Sequence, residues 1–305
     1  MPSDPEQAIV LTRGQRRRDG VRSTRRRGSR PNFAQTMAAL EALAESGAQV
    51  SVYVADLDSG ATVVSGDDSV VMPVGGLAVV PLLVETSARF ASGALDPRSR
   101  VPRDQLDPVS VSGIWRHLSI DALPLIDLAV LAAAQGDAYA TNGLLAQVGI
   151  EAVSRRMLNL GMRRSALLDQ VRDRRGPDDA PHVSLGTTRE YAVLMGDIMS
   201  GSAVDAAVSA QVAEWLTAGQ DLSLVGAATN LRAFGHEDDS HGLLFLNRTA
   251  YDDEGVRAEA GVIAGPRAGL AYALTVCFDD ASALHRNRAH QAFRVLGSEL
   301  MESVH

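Results

Sequence analysis

The residues able to do chemistry are few, and one type is missing. The chain holds no lysine, so all 29 of its basic residues are arginines. Schiff-base formation, phosphate clamping by a P-loop and lysine general-base catalysis all need an amine that can lose its proton or act as a compact charge. Arginine cannot replace it as a base, because its pKa is about 12 or higher. The single cysteine, Cys277, lies in the apolar run LAYALTVCF and reads as a buried structural thiol, with no basic neighbour to make it a nucleophile.

The seven histidines form no clear ligand set. His236 and His241 flank Glu237, Asp238 and Asp239 in GHEDDSHG, which reads as an acidic loop between strands rather than a metal centre; no metal and no other cofactor is expected. His117 follows Trp115, and this aromatic and imidazole pair is a candidate for stacking a ligand at a pocket mouth. His182 belongs to a charged loop, while His285, His290 and His305 fall on or near the last helix as solvated positions. In the segment LLDQVRDRRGPDD, Asp169 and Asp173 are interleaved with Arg172, Arg174 and Arg175, a pattern that points to loop ion pairs rather than a catalytic base.

The elements that must position these groups are legible from periodicity. Phe33, Met37, Leu40 and Leu43 recur at helical spacing and predict a helix from about 32 to 46. VSVYVAD then alternates, and the turn DSG leads to ATVV, giving a hairpin. From 74 to about 218 the signals are mostly helical, and several runs close on glycine, as helix ends often do. Charges, prolines and a glycine make 167–184 a long surface loop. GLLFLNRT, VRAEAGVIAG and LAYALTVCF read as strands, and Ala289, Phe293, Val295, Leu296 and Leu300 mark a final helix. The simplest packing joins the hairpin to the last three strands in one antiparallel sheet of about five strands, flanked by the first and last helices. This α+β arrangement has a sheet lobe at about 32–72 and 219–305 and a helical lobe at about 73–218, with a ligand cleft expected between them.

Residues 1–31 stand apart. Nine arginines against three acids give this segment +6, so with −8 overall the remaining residues carry −14. Low apolar content predicts a disordered tail, a solvated extension that could also meet an acidic partner or nucleic acid. The acidic body argues against the whole chain being a nucleic-acid binder. Neither a bilayer-length apolar run nor a secretory h-region is present, so no membrane association and a cytoplasmic location are expected.

The stretch MPVGGLAVVPLL, residues 72–83, carries nothing that can attack, protonate or bind a metal. Together with VSVYVADLDSG, SGIWRHL, GDAYATNGLLAQVG, WLTAGQDLSLV and LNRTAYDDEGVRAEAGVIAGP, it resembles the class A β-lactamase and penicillin-binding-protein superfamily, particularly its actinobacterial serine hydrolases. The resemblance covers roughly 32–305 and implies the two-lobed fold already outlined. Members use Ser-x-x-Lys, Ser-Asp-Asn and Lys-Thr-Gly. The matching frames here are Gly76-Leu77-Ala78-Val79, Gly136-Asp137-Ala138 and Arg248-Thr249-Ala250. The first has lost both nucleophile and amine, the second keeps only an aspartate that fixes a turn, and the third keeps charge and hydroxyl. The loop that should supply a deacylating glutamate contains none.

Losing a serine nucleophile together with its activating partner costs on the order of 10⁶ in rate, although a few thousand-fold can survive through binding and oxyanion donors. The resemblance therefore implies a β-lactamase-like pseudoenzyme that binds a small molecule or peptide in its cleft. The competing expectation is an enzyme of secondary metabolism doing non-covalent chemistry there (cyclisation, isomerisation or transfer), or residual hydrolysis by another nucleophile. Ligand-binding candidates are Trp115, His117, Tyr139, Arg248 and Thr249, with Asp137 as a further polar group. Gly75 and Gly76 at a helix start each cost about 1 kcal/mol relative to alanine, which is tolerable where something must approach the backbone closely.

Overall fold

The first helix and hairpin form where the spacing places them. The computed structural model describes residues 32–238, 242–252, 255–280 and 282–305. Helix α1 covers Ala34–Glu45, and strands β1 (Gln49–Asp56) and β2 (Thr62–Gly66) follow. The start of α1 exposes backbone donors that need partners. Glu299, far along the chain, supplies them: its carboxylate accepts from the Thr36 amide at 2.9 Å and from the Thr36 hydroxyl at 2.5 Å. Asp56 closes the hairpin by accepting from the amides of Asp58 and Ser59, the usual service of an aspartate in a turn. The arginine-rich segment 1–31, with its expected disorder and partner, lies outside the described residues, as do Asp239 and His241.

Strand β3 (Met72–Pro73) leads into a tight 3₁₀ turn at Gly75–Ala78 and then helix α2 (Val79–Ala91). Pro81 is tolerated there because amides in a helix's first turn have no intrahelical acceptor to lose. Short strands β4 (Arg100–Pro102) and β5 (Ala122–Pro124) pair with each other, and helices α3 (Leu125–Gln135), α4 (Ala138–Val148) and α5 (Ile150–Asn159) follow. The charged loop is irregular between β6 (Ala166–Leu167) and β7 (Ser184–Gly186). Helices α6 (Thr188–Ser200) and α7 (Ala206–Thr217) complete the helical part. Strands β8 (Glu237–Asp238), β9 (Leu243–Tyr251), β10 (Val256–Ala264) and β11 (Gly269–Cys277) precede the final helix α8 (Ala283–Val304).

The main sheet runs β2-β1-β11-β10-β9-β8, antiparallel throughout, with the two-residue β8 as an edge outside the five strands anticipated. Helices α1 and α8 cover one face over a core that includes Leu40, Val54, Phe245, Tyr272, Phe293 and Leu296. On the other face α6 lies against small side chains of β10 and β11, such as Ala260, Ala271 and Ala273, and the helical lobe packs outward from there. Because helices cover both faces, β1 and β10 are buried along nearly their whole length. The half-buried alternation expected of VSVYVAD gives way to a strand enclosed on both sides. Cys277, expected to be buried, sits half-buried at the end of β11. Among the described residues, no helix is long and apolar enough to cross a membrane.

Candidate functional site

A well-defined opening lies where the β9 side of the sheet meets the helical lobe. It is a cleft of about 400 Å³, bounded by the Gly75–Gly76 turn and Val79, by the end of α3, by loop residues 171–175, and by 247–252 of β9 and its exit. Each wall has a local cause. Gly136 ends α3 in the left-handed conformation at φ 62°, ψ 36°, which glycine adopts without penalty. Asp137 then caps α4 by accepting from the Ala140 amide at 2.9 Å. Its second carboxylate oxygen accepts from the amides of Ile114 and Trp115, each at 2.8 Å, so Asp137 ties the 112–115 loop to α4. Asn142 anchors the charged loop through both amide atoms, donating to the Val171 carbonyl and accepting from its amide.

Arg248 reaches from β9 across the cleft floor and is only 8% exposed. Its Nε donates to the Gly76 carbonyl at 3.3 Å and its Nη1 to the Ala133 carbonyl at 3.0 Å. A Cβ built on Gly136 would stand 2.9 Å from Nη2, and one on Gly76 would stand 3.3 Å from the same atom. The two glycines thus flank one guanidinium, and side chains at either position would crowd it. No acceptor among the described residues hydrogen-bonds to Nη2. Burial pulls the Arg248 pKa down to about 10, with the Asp221 carboxylate opposing that fall. Charge is retained at neutral pH all the same.

Asp221 is the acidic counterpart in the cleft wall. Burial works to raise its pKa, yet hydrogen bonds from Tyr251, Ser223 and Thr249 outweigh this and hold the carboxyl below its ordinary range. Tyr251 donates its hydroxyl to Asp221 and lies 2.6 Å from the Ser223 hydroxyl, and its own pKa is driven up by burial and by that carboxylate. Behind this group, Asn247 donates to the Asp221 carbonyl and to Glu259. Glu259 is fully buried, accepting also from Tyr272 at 2.6 Å and from the Val225 amide at 3.1 Å. Burial raises its pKa to about 8 despite these donors.

The candidates named from sequence separate into two groups. Arg248 and Thr249 line the cleft together with Gly76, Val79 and Gly136. Trp115, His117 and Tyr139 do not. Trp115 is 0% exposed, donates its indole N–H to the Ile120 carbonyl and meets Tyr139 edge-on at 6.1 Å, so the pair is core packing rather than a pocket mouth. His117 is exposed and accepts from Arg116. Asp137 and Ala138 are buried beside the cleft floor.

Asp169 pairs with Arg172 and Arg175, at 2.9 and 2.8 Å, and Asp173 accepts from Ser110 and Val111. Asp221, Tyr251, Asn247 and Glu259 were not singled out by sequence reasoning. Glu259 did carry a signal, as a lone acid within the otherwise apolar run AEAGVIAG. His236 is buried beside Phe245, and among the described residues no group of three or more His, Cys, Asp or Glu could hold a metal ion.

Comparison with known proteins places this architecture. The β-lactamase from Sphaerobacter thermophilus superposes with a TM-score of 0.76 at 22% identity, over 89% of this chain and 97% of that one. The structure of PBP-A superposes at 0.71 and 17% identity, over 88% and 96%. The class A β-lactamase from Mycobacterium abscessus gives 0.67 and 17%, over 87% and 97%. No curated protein matches the sequence. A profile described as the β-lactamase enzyme family matches residues 32–304, nearly everything beyond the arginine-rich segment. The chain therefore belongs to the β-lactamase enzyme family.

Proposed function

We propose that this protein is a non-hydrolytic member of its family that binds a small molecule or peptide in the cleft between sheet and helical lobe. The observation carrying this reading is the position of Arg248. Its guanidinium lies between Gly76 and Gly136, the positions whose motif frames correspond to the two serines of hydrolytic relatives. Val79, in the frame of the activating lysine, is a buried apolar side chain. A guanidinium neither attacks a carbonyl nor accepts a proton at neutral pH. The mouth remains open at a size typical of ligand sites, so binding outlives acyl transfer in this reading. Purified protein incubated with nitrocefin tests it: hydrolysis at the buffer rate is expected, and enzyme-dependent turnover would overturn it.

The Tyr251–Asp221 pair favours a second reading, non-covalent catalysis in the same cleft, because it places a carboxylate and a phenol on one wall. That chemistry would run on Asp221, Tyr251 and Thr249. Tyr139 and Asp137, weighed for it on sequence alone, lie outside the cleft lining.

A further inference from the structure

Two loops form lips of the cleft, and each is fixed at its base. On one side Val111 and Ser112 line the opening. The Ser112 hydroxyl donates to the Gly136 carbonyl at 2.6 Å, and Asp137 holds the next amides along, those of Ile114 and Trp115. On the other side residues 171–175 line it. There Asn142 holds both backbone groups of Val171, and Asp169 pairs with Arg172 and Arg175. Both bases rest on buried or half-buried side chains.

Between these bases the lips meet at exposed tips. Asp173 accepts from the Ser110 amide at 2.6 Å, from the Ser110 hydroxyl at 2.7 Å and from the Val111 amide at 3.1 Å. Gln170 donates to Asp107 at 2.8 Å, and Arg116 turns back to the Ser110 carbonyl, bracing the dipeptide that Asp173 holds. The donors from Ser110 and Val111 keep the Asp173 carboxyl below its ordinary range, so it is ionised at neutral pH. Such a link is specific, because one carboxylate gathers three donors from two consecutive residues. It is also easily released, since solvent-exposed hydrogen bonds between loops open at low free-energy cost while anchored segments stay in place.

We propose that Asp173 latches a strap across the cleft mouth, joining 110–111 to 170–173, and that this strap selects by size the molecules that reach the floor at Gly76 and Val79. Small molecules pass beside the closed strap, whereas bulky ones enter only when Asp173 releases Ser110 and Val111. The bases hold their positions during opening, so the strap closes again onto the same donors. The inference goes beyond the binding reading above and concerns entry alone.

The test reads entry through a thiol placed on the floor by Val79→Cys, in full-length protein whose native thiol is removed by Cys277→Ser. Its alkylation is timed with N-ethylmaleimide and with N-(1-pyrenyl)maleimide, which share a reacting group and differ in bulk. Normalised to their rates with free cysteine, the small reagent should react faster than the bulky one while the strap is intact. Asp173→Ala should shrink that ratio by about 10-fold, the change that one charge-assisted hydrogen bond makes in an opening equilibrium. Asp173→Asn keeps one acceptor oxygen and should shrink it less. Equal rates for the two reagents with Asp173 in place, or a ratio that Asp173→Ala leaves unchanged, overturns the proposal. Both rates rising together in Asp173→Ala also overturns it, because that is a general loosening and not the loss of a size filter. Nitrocefin turnover is read independently, so the strap and the non-hydrolytic reading fail separately.

Discussion

Gly136→Ala isolates the packing of Arg248 against the cleft floor. The substitution has two costs that can be separated. An L-residue held at φ 62° costs about 1–2 kcal/mol, and the stiffer unfolded chain offsets about 0.4–1 kcal/mol of this. The added Cβ would also stand 2.9 Å from Nη2 and 3.4 Å from Nη1, so the guanidinium must move off the Ala133 carbonyl, the Gly76 carbonyl or both. A hydrogen bond from a charged donor contributes about 1.5–3 kcal/mol, which brings the expected loss to about 2–4 kcal/mol. Gly60→Ala is the control: its φ is 68°, and a Cβ there meets nothing within 4 Å, so only the backbone cost of about 1 kcal/mol or less remains. Urea unfolding of both variants, alone and with Arg248→Met, completes the cycle. Combined with Arg248→Met, the Gly136→Ala penalty should fall to that of Gly60→Ala, a coupling well beyond the roughly 0.3–0.5 kcal/mol scatter of independent sites. Equal costs for the two glycines, or a Gly136 penalty unchanged by Arg248→Met, would refute the idea that this guanidinium occupies the space beside Gly136.

Three further outcomes are expected. Glu259 is held protonated to about pH 8 in the folded chain, whereas its ordinary pKa is 4.5, so the native state keeps a proton that the unfolded state has released across that window. Stability should therefore fall as pH rises from about 4.5 to about 8, by at most about 1.4 kcal/mol per unit from this group, and Glu259→Gln should flatten the slope in urea titrations; parallel slopes would contradict it. Asp137→Ala leaves three amides, two of them buried, without their acceptor and should cost about 2–4 kcal/mol by the same measurement, whereas a loss below about 1 kcal/mol would deny Asp137 its anchoring role. Asn142→Ala releases the charged loop at Val171 and should speed proteolysis within 168–183 at native conditions; an unchanged cleavage rate would show that the loop is held elsewhere.

The fold could be read from local pattern because several of its helices, α3, α4 and α6 among them, end on glycines and its strands are bounded by turn residues; α3, for example, stops at Gly136 and α4 opens on Asp137. What pattern could not supply was direction. Trp115 and His117 are adjacent in type and spacing to a stacking pair, yet the 3₁₀ turn at Trp115–His117 turns the indole inward against Tyr139 and the imidazole outward. Arg248 was visible as a charge on a strand, but its meeting with Gly76 joins residues 172 apart in sequence, and no local period encodes such a contact. Asp221 sits in TAGQDLSLV, where its loop character hides the three hydroxyls that gather around it through the fold. Of the two glycines that begin a helix, Gly76 has a physical counterpart in the close approach of that guanidinium, and Gly75 in its own positive φ of 52°.

Intact-protein mass spectrometry after prolonged incubation with benzylpenicillin tests the absence of acyl transfer most directly. The account predicts one species at the mass of the untreated chain, even with the penicillin in large excess. A second species heavier by one penicillin would contradict it, because some side chain in the molecule would then form the acyl bond that Gly76 and Arg248 cannot.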